Sequence, residues 1–322
     1  MPDREHAKAT AAKLSVLSNA VLVLLKLAVG LAAGSVSVIS EAIHSAVDLL
    51  AAVIAWFAVR TSGRPADQDH HFGHGKVENI SGVTEALLIF AAAGWIIFEA
   101  LQKLRDQGTL EHTGWGVAVM LLSATVNMLV STRLFKVGKQ TDSVALQADA
   151  WHLRTDVYTS IGVMAGLGTI WLGGLFYPGL NLNWVDPLAA IAVSLLIIKA
   201  AYDLTIQSAR DLLDSSISIE EQALIREHAI AFAPAVRSVH RLRTRKSGPY
   251  RFVDFHLAVD ADITVRQSHE LAEAIAEAIE RHHPGTEVSI HVDPCFEAAA
   301  QVRRGDRGLF VRPNFSFVGP SA

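Results

Sequence analysis

Cysteine is nearly missing from this chain: Cys295 is the only one in 322 residues. That excludes an internal disulfide and any cysteine-cluster metal site, and takes thiolate chemistry out of play. A charge excess of one sign is missing too. The chain has 28 Lys and Arg against 32 Asp and Glu, a net −4 with both signs intermixed, so no nucleic-acid partner is expected. No short apolar core with a small-residue cleavage site follows the charged start Asp3-Arg4-Glu5. No signal peptide is therefore expected, and the first apolar segment stays in the protein. His269-Glu270-Leu-Ala-Glu273 lacks the second histidine of a His-Glu-x-x-His helix, which removes the signature and general base of a zinc hydrolase. No enzyme is expected.

What is present is apolar sequence gathered into runs. Hydrophobic residues make up 51% of the chain, and the mean hydropathy is +0.31. Six stretches, near 12–33, 36–60, 79–103, 114–136, 144–175 and 185–207, reach the length of about 20 residues that a bilayer-spanning helix needs. Residues 1–211 thus read as a six-helix transmembrane domain of a polytopic α-helical protein in a lipid bilayer. Arg4, Lys8 and Lys13 precede the first span; Arg60, Arg64 and Lys76 follow the second; Arg133, Lys136 and Lys139 follow the fourth. The opposite connections, Gly34-Ser35 and Gly173 to Trp184, carry no Lys or Arg, and only Lys103 and Arg105 dissent. Positive loops stay inside, so both termini are expected in the cytoplasm.

Past residue 212 the long runs give way to short alternations. Ser218-x-x-Glu221 is a capping box opening a helix from Glu220 to Phe232 that Pro234 ends. Val236–Arg245 and Tyr250–Asp260 read as a hairpin around Ser247-Gly248-Pro249. Residues 265–283 carry a helical repeat, and Thr286–Val292 is a last strand. The order αββαβ predicts a small α+β domain over 212–296, ferredoxin-like, with helices on one side of a sheet. The tail 297–322, with Arg303, Arg304, Arg307 and Arg312, matches no pattern.

Chemistry-bearing residues stand where they are costly. His44-x-x-x-Asp48 and His152-x-x-x-Asp156 repeat one spacing inside apolar spans. A charge at the bilayer centre costs roughly 2.5–3.5 kcal/mol on insertion scales, so such groups face cavities and carry function. Residues four apart share a helix face, and the two pairs together offer the N2O2 donor set suited to zinc. Asp149, one turn before His152, is placed either to accept from that imidazole or as a solvated residue near a helix start. In the loop after the second span, Asp67, His70 and His74 have a spacing that closes around one cation and leaves a coordination position for water. His71 is spare. Alternation puts His256, His291 and Asp293 on polar strand faces, where His240 from the hairpin and His269 from the following helix can converge with them on one or two metal ions. His282 and His283 complement a helix end. Lys76 is placed either as a cytoplasmic anchor or as an ion-pair partner of Asp211 or Asp214.

Taken together, Gly34-Ser-Val-Ser37, the two histidine-aspartate pairs, Asp67-Gln-Asp-His-His-Phe-Gly-His-Gly-Lys-Val-Glu78, Asp186-Pro187 and His291-Val-Asp-Pro294 resemble the cation diffusion facilitator family, over nearly the whole chain. The resemblance is to its bacterial zinc and iron efflux branch. It implies a homodimer in the inner (cytoplasmic) membrane that exports divalent metal against protons. It also implies that His44, Asp48, His152 and Asp156 form the transport site, that Asp67, His70 and His74 form a second site, and that the histidines of residues 212–296 hold a structural or regulatory ion. In that branch an Asp stands where this chain has His44. Zinc-selective members match this chain there, so Zn2+ is the expected cargo ahead of Cd2+, Co2+, Fe2+ or Mn2+. A membrane-anchored zinc sensor is the alternative, needing the cytoplasmic site but not the intramembrane four.

Overall fold

The computed structural model describes residues 2–33, 36–106, 114–176 and 184–295. The Gly34-Ser35 turn, most of the Gly173 to Trp184 connection and the 297–322 tail lie outside them. Six long helices come first: α1 (Pro2–Ala33), α2 (Val36–Ser62), α3 (Lys76–Asp106), α4 (Gly114–Thr141), α5 (Val144–Phe176) and α6 (Val185–Leu212). Among the described residues four of them, α1, α2, α3 and α6, are long and apolar enough to cross a membrane.

α1 packs along α2, α3 along α6 and α4 along α5. Small residues make the close approaches: Ala12, Ala145 and Ala150 in one cluster, Ala86, Ala93, Ala148 and Ala201 in another, are all 0% exposed. Helices in lipid associate through such packing, because lipid tails are as apolar as leucine. Leu17, Leu24, Leu31, Leu129 and Leu196, each more than 60% exposed, cover the outside.

Two charge expectations are corrected. Lys8 is no loop anchor: α1 begins at Pro2, and Lys8 is 1% exposed, paired with Glu5 at 2.7 Å and with Glu78 at 3.3 Å. Buried Glu78 also accepts from Ser62 Oγ at 2.7 Å, from Ser143 Oγ and from the Ala145 N–H, so one carboxylate ties α1, α2, α3 and the start of α5 together. Arg133, Lys136 and Lys139 lie on α4, because the connection to α5 is only Asp142 and Ser143. Asp142 turns the chain with a left-handed φ of 57°, which short polar residues tolerate.

The remaining chain forms α7 (Ile219–Ile230), β1 (Ser238–Ser247), β2 (Tyr250–Asp260), α8 (Val265–His282) and β3 (Thr286–Cys295), in the order the sequence predicts. Ser218 and Glu221 close the capping box; Thr264 and Gln267 form a second. β1 and β2 pair antiparallel, β2 and β3 parallel, with α8 as the crossover. Val253, Phe255, Leu257 and Val259 of β2 are at most 1% exposed and pack against Ile225 of α7 and Ile275 and Ile279 of α8.

The two parts are joined tightly. Lys246 and Arg251 donate to Asp142 over 3.0 and 2.7 Å, and the Gly248 N–H donates to Asn79 Oδ1 over 2.9 Å. Gly248 has φ 57°, and a Cβ there would strike the carbonyl oxygen of Gly75, just as one on Gly75 would strike that of Ser247. Gly248→Ala is therefore expected to cost about 1–2 kcal/mol from left-handed strain alone, and more from the collision. A lowered thermal midpoint and faster protease cleavage near residues 212–218 are the readouts.

Candidate metal centres

Equal spacing on two helices brings the intramembrane residues together. His152 Nε2 stands 3.2 Å from Asp48 Oδ1, and His44 Nε2 3.9 Å from Asp156 Oδ1, so each histidine of one helix faces the aspartate of the other. Ligand atoms of His44, Asp48 and Asp156 all lie within 4.8 Å of one another. Asp48 and His152 are buried, whereas the His44 side chain is 53% exposed, so the group opens on the His44 side. Sequence reasoning missed Asn127 of α4, 6% exposed, whose amide donates to Asp156 Oδ2 over 3.4 Å. A lone amide in an apolar run was the available signal. Asp149 does not orient His152: neither Asp149 oxygen nor His152 Nδ1 has a hydrogen-bond partner among the described residues.

In the connection between α2 and α3, Asp67 Oδ1 accepts from the Asp69 and His70 backbone N–H groups at 3.1 and 2.7 Å. The hydrogen bond from the His70 backbone is the main cause that holds the Asp67 carboxyl below its usual range. His70 Nδ1 lies 3.2 Å from Asp67 Oδ1, and His74 Nε2 lies 3.3 Å from Oδ2. His71 is exposed and outside the cluster. Behind this loop Arg245 sits between the Phe72 and Phe252 rings, 4.1 and 4.6 Å from their centres.

Strand register builds the third group. His240 is opposite His256, and His256 is opposite His291, which lines three imidazoles across the sheet. Asp293, two residues beyond His291 on the same face, receives all three: His256 Nδ1 at 2.8 Å, His291 Nε2 at 3.0 Å and His240 Nε2 at 3.1 Å. Burial lowers the His240 pKa, against the pull of Asp293 that raises it. Asp293 is held below its usual range despite burial, because His256 donates to it and all three rings attract its charge. His269 does not join them within the protomer: it is exposed on α8, the helix that packs on the opposite, apolar face of β2.

Between the two parts, Lys76 pairs with Asp214 at 2.9 Å. Asp211 instead accepts from Asn79 Nδ2 at 3.0 Å. The hydrogen bond from Lys76 holds Asp214 below the usual carboxylate range.

Residues 12–213 match the family described as "Cation efflux transmembrane domain", and residues 217–295 match "Cation efflux protein, cytoplasmic domain". The chain belongs to the cation diffusion facilitators. It is similar to the transporter sll1263 of Synechocystis sp. (strain ATCC 27184 / PCC 6803 / Kazusa), 33% identical over 84% of this chain and 85% of that one. It is likewise similar to the cation-efflux pump FieF of Serratia proteamaculans (strain 568), 32% identical over 85% of this chain and 89% of the relative. FieF of Citrobacter koseri is 31% identical over 88% and 92%. This cation diffusion facilitator is thus an integral membrane protein of divalent-metal efflux whose relatives are named as transporters. Its second domain packs against the membrane domain through Asp142, Asn79 and Asp214.

Proposed function

We propose that this cation diffusion facilitator is an antiporter that exports Zn2+ from the cytoplasm in exchange for protons, with His44, Asp48, His152 and Asp156 as the transport site and all six long helices crossing the membrane. One observation supports the reading: ligand atoms of His44 and Asp48 of α2 and Asp156 of α5 lie within 4.8 Å of one another, and His152 Nε2 stands 3.2 Å from Asp48 Oδ1, with no Lys or Arg paired to either carboxylate among the described residues. With both rings neutral, the four groups carry two negative charges, which Zn2+ cancels. With the metal gone, two protonated rings cancel them equally well. A low-dielectric site penalises any uncompensated state, so metal and protons compete for the same atoms. Alternating access turns that competition into exchange.

The setting is the inner (cytoplasmic) membrane with both termini in the cytoplasm, and the working unit is a homodimer joined through the cytoplasmic domains. Cd2+, Co2+, Fe2+ and Mn2+ are the competing cargoes. The test is zinc flux into proteoliposomes under an imposed pH gradient. Uptake that follows the gradient and collapses when it is dissipated is the expected result; flux indifferent to the gradient refutes proton coupling.

The sheet cluster fits a resident zinc ion, since ligand atoms of His240, His256 and Asp293 lie within 4.8 Å of one another and supply nitrogen and oxygen donors. Binding only to the folded state stabilises it, by about 2.7 kcal/mol at a hundredfold excess over Kd. His256→Ala is expected to remove most of the zinc-dependent rise in melting temperature that the cytoplasmic domain contributes, while lowering transport far less than changes at the intramembrane four. Acidification should erase the same rise in the unaltered protein, because protons compete for the ring nitrogens.

A further inference from the structure

Arg154 lies on α5 between His152 and Asp156, on the helix face that carries Trp151 and Tyr158 and away from the two metal ligands. It is partly exposed. Its Nε donates to Ser131 Oγ and its Nη2 to Thr132 Oγ1 of α4, each over 3.3 Å, and the guanidinium stands 5.2 Å from the centre of the Phe135 ring. All three partners are neutral. No carboxylate pairs with Arg154 among the described residues, and α4 contains no Asp or Glu. On the outer face of α4, Lys136 stands one turn beyond Thr132 and Lys139 one turn beyond Phe135. Both lysines are exposed, with no hydrogen-bond or ion-pair partner among the described residues. Helix side chains lean toward the start of their own helix, and α4 and α5 run antiparallel through the short Asp142-Ser143 connection. Arg154 therefore leans toward that connection while Lys136 and Lys139 lean away from it, so the three cations converge over Thr132 and Phe135. Leu129, 69% exposed, and Met128, 42% exposed, continue the same face in the other direction. Arg133 sits at the far edge of that face, away from α5.

A cation on a lipid-facing surface is costly unless an anion offsets it, and three cations with no carboxylate among them ask for an anion from outside the protein. The membrane supplies one. We propose that Arg154, Lys136 and Lys139 hold the phosphate of an anionic phospholipid of the cytoplasmic leaflet, with its acyl chains lying along Leu129 and Met128. The guanidinium donors that Ser131 and Thr132 leave over make charge-assisted hydrogen bonds to the phosphate oxygens, and the two lysines add point charges. Three positive charges favour a lipid with a net negative charge over a zwitterionic one. Exposed Leu129 and Met128 beside the cations favour a lipid over free phosphate, which has no apolar part to cover them. This rests on the reading that α4 and α5 cross the membrane with their connection in the cytoplasm.

The test gives the full chain, in mild detergent, an equal mixture of phosphatidylglycerol and phosphatidylcholine, and reads by native mass spectrometry which lipid it keeps. Phosphatidylglycerol is expected to be kept in preference. Lys136→Ala and Lys139→Ala, at exposed positions that leave the fold intact, should each weaken that preference about fivefold. Arg154→Gln should weaken it more than either, and Arg133→Ala should leave it unchanged. Equal retention of the two lipids by the unaltered protein overturns the assignment, and so does a preference that survives in Arg154→Gln and in the double lysine variant. Displacement of the lipid by millimolar inorganic phosphate would make this a free-phosphate site, and a dimer that falls to monomers in the double lysine variant would make the face a contact between copies; either result also overturns it. The crossing of α4 is checked separately, by Leu129→Cys in a Cys295→Ser background. Labelling of that cysteine in vesicles by a membrane-impermeant maleimide sinks the six-helix reading and this proposal with it, whereas protection without a lipid preference sinks this proposal alone.

Discussion

Asp156→Ala is expected to abolish zinc uptake into vesicles while the protein still inserts and dimerises. Asp156 is the group at which His44 of α2 and Asn127 of α4 meet α5, at 3.9 and 3.4 Å. In the transport site proposed above, removing its carboxylate takes away one of four donors and one of two negative charges, leaving the metal under-coordinated and its charge half compensated where the dielectric constant is low. Losing a group that merely orients a ligand costs about 10–100-fold in metal affinity, so losing the ligand itself should exceed about a hundredfold. Insertion should survive, since Asp156 lies outside the alanine-lined helix contacts and the Glu78 hub. Asn127→Ala gives the graded comparison: it leaves four donors and should slow flux by about tenfold at most. Near-normal flux in Asp156→Ala would mean that the cargo does not pass between these residues.

The parts of this arrangement that follow one element's own repeat were readable from the chain. The i, i+4 spacing in His44 and Asp48 and in His152 and Asp156 fixes a shared helix face wherever the helix goes, and alternation along Val253, Phe255, Leu257 and Val259 fixes the buried side of β2. What escaped depends on how elements meet. The convergence of His240, His256, His291 and Asp293 was expected from alternation, but their order across the sheet needs the inter-strand register, which shifts between His240 and Arg243 around Arg241, at φ 51°, a bulge that nothing in the residue pattern announces. His269 looked available because its place in the sequence says nothing of which sheet face α8 covers. Lys8 fits the usual pattern of a cytoplasmic anchor. Only the start of α1 as early as Pro2, and the arrival of Glu78 from another helix, turn it into a buried ion pair. Between Asp211 and Asp214 the chain offered no choice either. The left-handed turn at Asp214, φ 54°, accompanies the approach of its carboxylate to Lys76, while Asp211 lies against Asn79.

His44→Asp is expected to relax metal selectivity, with cadmium or manganese flux rising relative to zinc. His44 is the half-exposed member of the four, on the side where the group opens, so a shorter side chain there is accommodated without disturbing buried Asp48 and His152. The exchange trades a neutral nitrogen donor for an anionic oxygen donor. The set goes from two nitrogens and two oxygens to one nitrogen and three oxygens, with one more negative charge. Imidazole suits zinc, whereas carboxylates suit harder ions such as manganese, and the room left by the smaller side chain admits the larger cadmium ion. A shift of about tenfold in the zinc-to-manganese flux ratio corresponds to roughly 1.4 kcal/mol, well within what one ligand change delivers. Proton coupling should change as well, because one titrating imidazole has gone. Competition flux at fixed pH, each metal against zinc, measures the first effect, and the proton count per metal in the same vesicles measures the second. If the order of preference stays as it was, the helix packing around the site sets selectivity, and the donor at position 44 does not.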